Sequence, residues 1–273
     1  MLISEATNPA DAYEQFFVPV MFNPWARLLV EQAAPRWGER VLDLACGTGV
    51  VARTVAPAIG PNAKLVAVDL RPGMLATARA IPAPAGAAVE WREADAHELP
   101  LPDSSFDLVL CQQGIQFFSN KVKALREVRR VLAPGGRLVA ACWMGLCHHE
   151  VFETLTAAEA RHLEPLGVTY AEVTAPFSFG DARAFRALLE EAGFEDIEVL
   201  ERSLDVSFPA DTFVERTEHA YGAVMPQFVA DRLRFSAHVE AVKREMRDTI
   251  ERVRRDDRLL FALHANVAVA FTR

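Results

Sequence analysis

The sequence has no apolar run long enough to cross a bilayer. Its longest uncharged apolar stretch, Leu138 to Cys147, falls short of the roughly 20 residues that a membrane helix needs. No basic segment leads into an apolar run at the amino terminus, which reads Met-Leu-Ile-Ser-Glu, so no secretory leader is expected. Cysteine is scarce: Cys46, Cys111, Cys142 and Cys147 are spread over 273 residues, which speaks against a disulfide framework. Positive charge is in deficit, with 29 Lys and Arg against 37 Asp and Glu and a net charge of -8. That balance disfavours a surface built for nucleic acid or anionic lipid. Repeats are lacking too, and the nearest thing to low complexity, the Ala/Pro run Ile81 to Ala88, reads as a loop. With 51% hydrophobic and 24% charged residues, a cytoplasmic globular protein with a sizeable core is expected.

Two helix starts lie near the amino terminus, where Asn8-Pro9 and Asn23-Pro24 each set a capping Asn before a Pro suited to the first helical position. From Arg40 short apolar runs alternate with helical patterns. Val41–Cys46, Lys64–Asp69, Val89–Glu93 and Phe106–Cys111 read as strands, and Pro72 opens a helix. In Ser119–Leu132, Val122, Leu125, Val128 and Leu132 recur at helical spacing, and Pro134-Gly135-Gly136 leads into a fifth strand, Arg137–Cys142. Such alternation means parallel βαβ units in an open, doubly wound α/β sheet. Further on, helices are expected over His148–Leu163 and Asp181–Ala192, the latter closed by Gly193. Phe194–Phe208 reads as a long strand or a bulged pair, residues 209–258 as helical, and Leu259–Thr272 as a closing strand.

The chemistry gathers at the carboxyl ends of the first three strands. Gly47-Thr48-Gly49 joins a strand to a helix, a turn that lets a ligand approach the backbone and its free N–H groups. Gly47-x-Gly49-x-x-Ala52, with Asp69 about twenty residues on, also satisfies the dinucleotide fingerprint, so an NAD-dependent oxidoreductase is one reading. Asp43 lies inside an apolar strand, where an unpaired carboxylate is expensive, and Asp95 follows the third strand in Glu93-Ala94-Asp95-Ala96. Three acids at successive strand ends suit a cationic adenosine derivative better than a pyrophosphate.

Val41-Leu42-Asp43-Leu44-Ala45-Cys46-Gly47-Thr48-Gly49 resembles the first motif of class I S-adenosylmethionine-dependent methyltransferases. The resemblance continues through Val68-Asp69-Leu70, Glu93–Ala96, Leu99-Pro100-Leu101-Pro102, Ser105–Val109 and Leu125–Gly136, covers roughly residues 38–145, and is strongest to the UbiE-like (methyltransferase type 11) branch. It implies a Rossmann-like seven-stranded sheet, mostly parallel, with an antiparallel last strand and helical cap insertions. The domains would be a helical lid at 1–37, a cofactor core at 38–147, a helical insert at 148–180, core again at 181–208, a helical cap at 209–258 and the final strand at 259–273. By position, Asp43, Ala45, Gly47 and Gly49 would line the methionine moiety of S-adenosyl-L-methionine. Asp69 would hold the ribose, Leu70 and Met74 would pack near adenine, and Asp95 and Ala96 would read its edge. Cys111 and Gln112 would border the transferable methyl.

Cys-Gln-Gln-Gly at 111–114 lacks the Asn/Asp-Pro-Pro-aromatic pattern of enzymes that methylate nucleic-acid bases, so no nucleic-acid partner is expected, and the basic residues Lys121, Lys123, Arg126, Arg129 and Arg130 read as a solvated helix face. The expected partner is a small, largely apolar methyl acceptor, with O-, N- and C-methylation all open; a homo-oligomer also stays open. An oxygen nucleophile would need a base, for which His148, His149 and Tyr13 are candidates, with Phe17, Gln113 and Gln116 as acceptor contacts. Other large rings, namely Phe22, Trp25, Phe118, Trp143, Phe152, Tyr170, Phe177, Tyr221 and Phe228, would fill the core or the acceptor pocket. Cys142, Cys147, His148 and His149 match no familiar zinc spacing, so no metal is expected. A non-catalytic S-adenosylmethionine-binding regulator is the reading from another class, since fold alone does not establish turnover.

Overall fold

The computed structural model describes residues 9–82, 85–164, 167–221 and 232–273, with backbone only at 221 and 232–235. Asn8, Tyr221 and Phe228, named above for a cap or a ring, lie outside the described residues or side chains. The chain divides into two compact units, one of Asn23–Met144, Phe179–Arg202 and Ala265–Arg273, the other of residues 9–22, Gly145–Ser178 and Ser203–His264.

The first unit is the α/β body. Its strands are β1 (Val41–Leu44), β2 (Leu65–Asp69), β3 (Val89–Glu93), β4 (Phe106–Gln112) and β5 (Leu132–Trp143), joined by parts of β6 (Glu195–Pro209) and β8 (Arg258–Phe271). Among the described residues the order is β3-β2-β1-β4-β5-β8-β6; a two-residue β7 (Arg254–Arg255) pairs with β8 off this path and makes eight strands where seven were expected. β1 through β5 pair in parallel and β8 runs antiparallel to β5, matching Arg137 with Phe271 and Trp143 with Ala265. The interior strands are apolar on both faces, as a covered parallel sheet requires. Leu42, Leu44, Val66, Val68, Val109 and Cys111 share one core cluster with residues of α5 (Lys121–Val131) and α8 (Ala182–Glu191). Because side chains alternate along a strand, Asp43 is turned to the opposite face, that of α3 (Val50–Ile59). There α2 (Asn23–Ala33) packs on α3, while α4 (Pro72–Ala80) lies against β2 and β3.

Helix ends follow local chemistry. Pro72 occupies the first turn of α4, and the side chains of Asn120 and Asp181 cap α5 and α8 by accepting from the N–H groups of Lys123 and Ala184. Asn23-Pro24 departs from expectation. Asn23 caps no free helix end, because a π-helical turn, Val18–Phe22, runs directly from α1 (Pro9–Phe17) into α2. Pro24 has no N–H to offer to a regular α-helical ladder, and a widened turn absorbs that loss. On the basic face of α5, Lys123, Arg126 and Arg129 are exposed as expected, and several of its cations also bind backbone carbonyls. Arg130 donates to the carbonyls of Leu99 and Leu101 at 2.9 and 2.8 Å and to Asp103, while Glu127 accepts from Leu99 N at 2.9 Å. Arg129 and Lys121 donate to the carbonyls of Gly193 and Phe118. These cations satisfy loop carbonyls, which a backbone segment without secondary structure must find somewhere.

The second unit is mostly helical: α1, α6 (Glu150–Leu163), the short α7 (Tyr170–Val173), α9 (Phe213–Tyr221) and α10 (Arg232–Val253). Phe16, Phe17, Phe152, Phe208, Phe213 and Phe261 form a cluster of rings with centroids 5.3–6.4 Å apart. Inside the helices Glu159 and Glu218 are buried together, and Glu218 meets Nε2 of His238 at 3.0 Å. Burial pushes both carboxyls up, Glu159 further through the charge of its neighbour, and pushes His238 down to about 4. The His238–Glu218 contact is therefore a neutral hydrogen bond near neutral pH rather than an ion pair.

A carboxyl whose folded pKa lies above its unfolded value contributes stability that is complete below the unfolded pKa and is lost as pH rises through the folded one. Replacing Glu159 by Gln removes that loss. The melting temperature of Glu159→Gln should therefore gain on the wild type as pH rises from about 5 to 8, by roughly 2–4 °C per kcal/mol of linkage. Scanning calorimetry across that range checks it; a difference that does not change with pH would show that Glu159 is ionised in the fold.

Candidate functional site

β1 ends at Leu44, and the chain turns into α3 through Ala45 (φ +55°), Gly47 (φ +54°) and Gly49 (φ +87°), every second residue in the left-handed region. The two glycines answer different needs. A Cβ on Gly47 would point into open space, so the backbone there is bare toward whatever the loop faces. A Cβ on Gly49 would lie 2.3 Å from the Trp91 ring, so β3 packs hard against the start of α3. Ala45 accepts a left-handed strain that glycine would avoid, and Gly114 closes on it so tightly that a Cβ would come within 2.7 Å of the Ala45 methyl.

Two acids hold this loop. Asp43 is buried, and its Oδ2 accepts from Ala52 N at 2.9 Å, while Oδ1 is buried with no hydrogen-bond partner among the described residues. Asp69 ends β2; its Oδ2 accepts from Gly47 N at 2.7 Å and its Oδ1 from Arg71 N at 2.9 Å. Burial pushes the Asp43 carboxyl up to about 8, against the hydrogen bond from Ala52, and the charge of Asp69 adds to the rise. Asp69 is raised as well, by burial, with the N–H groups of Arg71 and Gly47 opposing. A cation beside these two buried acids would favour their charged forms, whereas a phosphate would disfavour them.

Asp95 is exposed, and its Oδ1 accepts both the backbone N–H of His97 (2.9 Å) and the ring Nδ1–H (2.6 Å), which together hold its carboxyl below the usual range. His97 Nε2 accepts from Asn120 N at 3.1 Å, which fixes the proton on Nδ1. The histidine thus ties the loop after β3 to the cap of α5, a role no sequence signal announced beyond its place in Asp95-Ala96-His97. Leu70 is 63% exposed, whereas Met74 and Ala96 are buried.

Cys111 departs from its expected place at the transferable methyl. Its thiol is in the core, accepts from the N–H groups of Gly114 and Ile115, and is pushed up to about 12 by burial. The next three expected residues are of a different kind. Gln112, Gln113 and Gln116 are all buried at the carboxyl end of β4 and in the turn that follows, with Gln112 on the Asp43 face of the sheet.

Tyr13, Phe17, His148 and His149 belong to the helical unit. Phe17 is buried among Tyr13, Phe16, Phe22 and Phe208, so it packs the unit rather than lining a pocket. Tyr13 stacks on Phe22 at 5.0 Å. His149 is enclosed beside Phe177 and His264, a setting for a packing residue, whereas His148 is exposed. A cavity of about 570 Å³ lies at the other end of the sheet, lined by Trp37, Gly135, Gly136, Arg137 and Phe271. Arg137 there is bound to Glu39 at 2.9 Å and to backbone carbonyls, so its charge is already engaged.

A parallel sheet closed by an antiparallel strand, with a glycine turn after β1 and an acid ending β2, defines the class I methyltransferase fold. Residues 41–136 match the family model described as a methyltransferase domain. The ubiquinone/menaquinone biosynthesis C-methyltransferase UbiE of Ectopseudomonas mendocina is 41% identical over 117 residues, 42% of this chain and 46% of that protein. The chain thus spans about half the length of the curated relatives it matches. Among solved structures, the YcgJ protein of Bacillus subtilis superposes with TM-score 0.58 at 18% identity, covering 91% of this chain and 97% of that one. The Haemonchus contortus phosphoethanolamine N-methyltransferase 2, solved with phosphomonomethylethanolamine and S-adenosylhomocysteine, gives 0.59 at 20% identity over 96% of this chain and 56% of that one.

The unequal glycines can be separated by substitution. Gly49→Ala should cost about 2–4 kcal/mol of stability, since strain and overpacking against Trp91 add. Gly47→Ala should cost only about 1–2 kcal/mol, the left-handed penalty alone. Urea denaturation of both variants checks the order, and equal costs would contradict the packing of Trp91 on Gly49.

Proposed function

We propose that the protein transfers a methyl group from S-adenosyl-L-methionine to a small organic acceptor. The observation that carries this is the buried Asp43 carboxyl, tied by one oxygen to Ala52 N and unpaired at the other, beside the bare backbone of Gly47. The residues fit that cofactor: a cationic methionine end answers the joint potential of Asp43 and Asp69, where the pyrophosphate of a dinucleotide would be repelled. Asp69 retains acceptor capacity for ribose hydroxyls, and Leu70 and Met74 offer apolar surface to a purine. The presence of S-adenosylhomocysteine in a fold neighbour and the methyltransferase match of residues 41–136 support the same reading.

When bound, the cofactor supplies an electrophilic methyl on a sulfonium, and its sulfur keeps the electron pair of the broken bond. This chain's contribution is alignment. Asp43 and Gly47 fix the methionine end, Asp69 fixes the ribose, and the loop pinned by His97, Glu127 and Arg130 holds the residues beside adenine. An acceptor oxygen or carbon must also lose a proton, which an activated ring does readily. A quinone-type acceptor is favoured by the similarity to a C-methyltransferase of ubiquinone and menaquinone biosynthesis.

Two measurements test the cofactor site. Asp69→Ala should weaken S-adenosylmethionine binding by about 1–3 kcal/mol, through loss of the ribose contact and of the Gly47 anchor. Calorimetric titration checks it with NAD as a control, and binding of NAD alone by the wild type would overturn the assignment. Asp43 is protonated below about pH 8 in the free protein, and a cation beside it favours the carboxylate. Binding at pH 7 should therefore release roughly half to one proton, seen as an enthalpy that differs between buffers of unlike ionisation heat. Asp43→Asn should abolish the release. Buffer-independent enthalpy in the wild type would remove Asp43 from the cation site.

A further inference from the structure

Gln113 and Gln116 are the least satisfied polar residues of the α/β body. They are 6% and 4% exposed, and among the described residues neither the oxygen nor the nitrogen of either amide has a hydrogen-bond partner. Each unpaired buried group costs about 1–3 kcal/mol, so two idle carboxamides are a burden that an apolar side chain of the same length would relieve. Their backbone is fixed firmly. Gln113 is held left-handed at φ +54° by its N–H bond to the Ala141 carbonyl at 2.9 Å, and the N–H of Gln116 donates to the Cys142 thiol. Between them Gly114 has no room to move, since a Cβ there would meet Ala45 at 2.7 Å and Cys111 at 2.9 Å. A turn braced on three sides presents its amides at the carboxyl end of β4, the end of the sheet where ligands of such folds bind.

We propose that Gln113 and Gln116 determine acceptor specificity by hydrogen-bonding ring oxygens, so that the acceptor is a hydroxylated aromatic rather than a hydrocarbon or an amine. This rests on the methyltransferase reading. A carboxamide donates and accepts, so the pair matches hydroxyls before reaction and can donate to a phenolate as charge develops. It carries no charge of its own, which leaves an ammonium acceptor without an ionic partner from these side chains. A site built to pair with oxygen discriminates strongly, because an analogue lacking it leaves the amides unpaired.

The test uses the full chain saturated with S-adenosylhomocysteine and, under nitrogen, 1,4-dihydroxynaphthalene, 1,4-diaminonaphthalene and naphthalene as probes. The dihydroxy ring should bind at least about ten-fold more tightly than either other ring. In Gln113→Met and Gln116→Met the preference should shrink to within about three-fold, while S-adenosylhomocysteine affinity is kept and the melting temperature holds or rises. Equal binding of the three rings, absence of binding by the dihydroxy ring, or a preference retained in both variants would overturn the proposal. So would variants that melt well below the wild type, because the amides would then be paired within the protein. A wild type that fails to bind S-adenosylhomocysteine at all sinks the methyltransferase reading itself, and this proposal with it.

Discussion

The site depends on the hydrogen bond between the buried Asp43 carboxyl and the backbone N–H of Ala52. It joins the first strand to the first turn of α3 across the glycine loop, and it fixes where that loop can run. Asp69 completes the frame by accepting from Gly47 and Arg71, so two acids from adjacent strands hold both ends of the turn. The cost of the arrangement is electrostatic. Burial raises both carboxyls, the charge of Asp69 raises Asp43 further, and the charges of Arg53 and Arg71 offset this only in part. A fold stabilised for its own sake would place an apolar residue at 43. That an acid stands there is the strongest argument that the pocket is shaped for something cationic.

Much of the body was legible in sequence because its signals are local. Apolar runs, the glycine turn and the acids ending β2 and following β3 are each decided within a few residues, and a parallel order follows from helices between strands. The antiparallel closing strand came from resemblance instead, since nothing in Leu259–Thr272 states its direction. What escaped notice depends on pairs far apart in the chain. Trp91 against Gly49, His97 against Asn120, and Arg130 against the carbonyls of Leu99 and Leu101 join residues dozens of positions apart, and periodicity is blind to all of them. The π-helical turn before Pro24 escaped for another reason: Asn-Pro is a sound helix-start signal, and only packing decides whether the preceding helix stops.

The helical unit shows the limits of reading chemistry from residue type. Tyr13, Phe17, His148 and His149 are candidates by residue type, since aromatic and imidazole groups do the work of acceptor pockets. Phe17 and His149 instead spend their surfaces on other rings. The titratable groups with shifted properties lie elsewhere, in Glu159, Glu218 and His238, which come from three helices and whose spacing in sequence carries no motif. Of these groups Glu218 and His238 are matched by a hydrogen bond, at 3.0 Å.

The α/β body satisfies its polar side chains unevenly, and the pattern has a direction. At the amino ends of the strands the charged groups are paired, Arg40 with Asp107 and Arg137 with Glu39. At the carboxyl ends Ala45 and Gln113 are left-handed, Asp43 keeps an idle oxygen, and Gln113 and Gln116 keep idle amides. Left-handed residues occur at the amino ends too, at Ala34 and Ser104, so the difference between the ends lies in hydrogen-bond satisfaction rather than in strain. The idle groups of Asp43, Gln113 and Gln116 at one end are what a ligand-binding surface requires, because groups already satisfied by the protein have nothing to offer a substrate, and groups held rigid but unsatisfied recover that energy only when one binds.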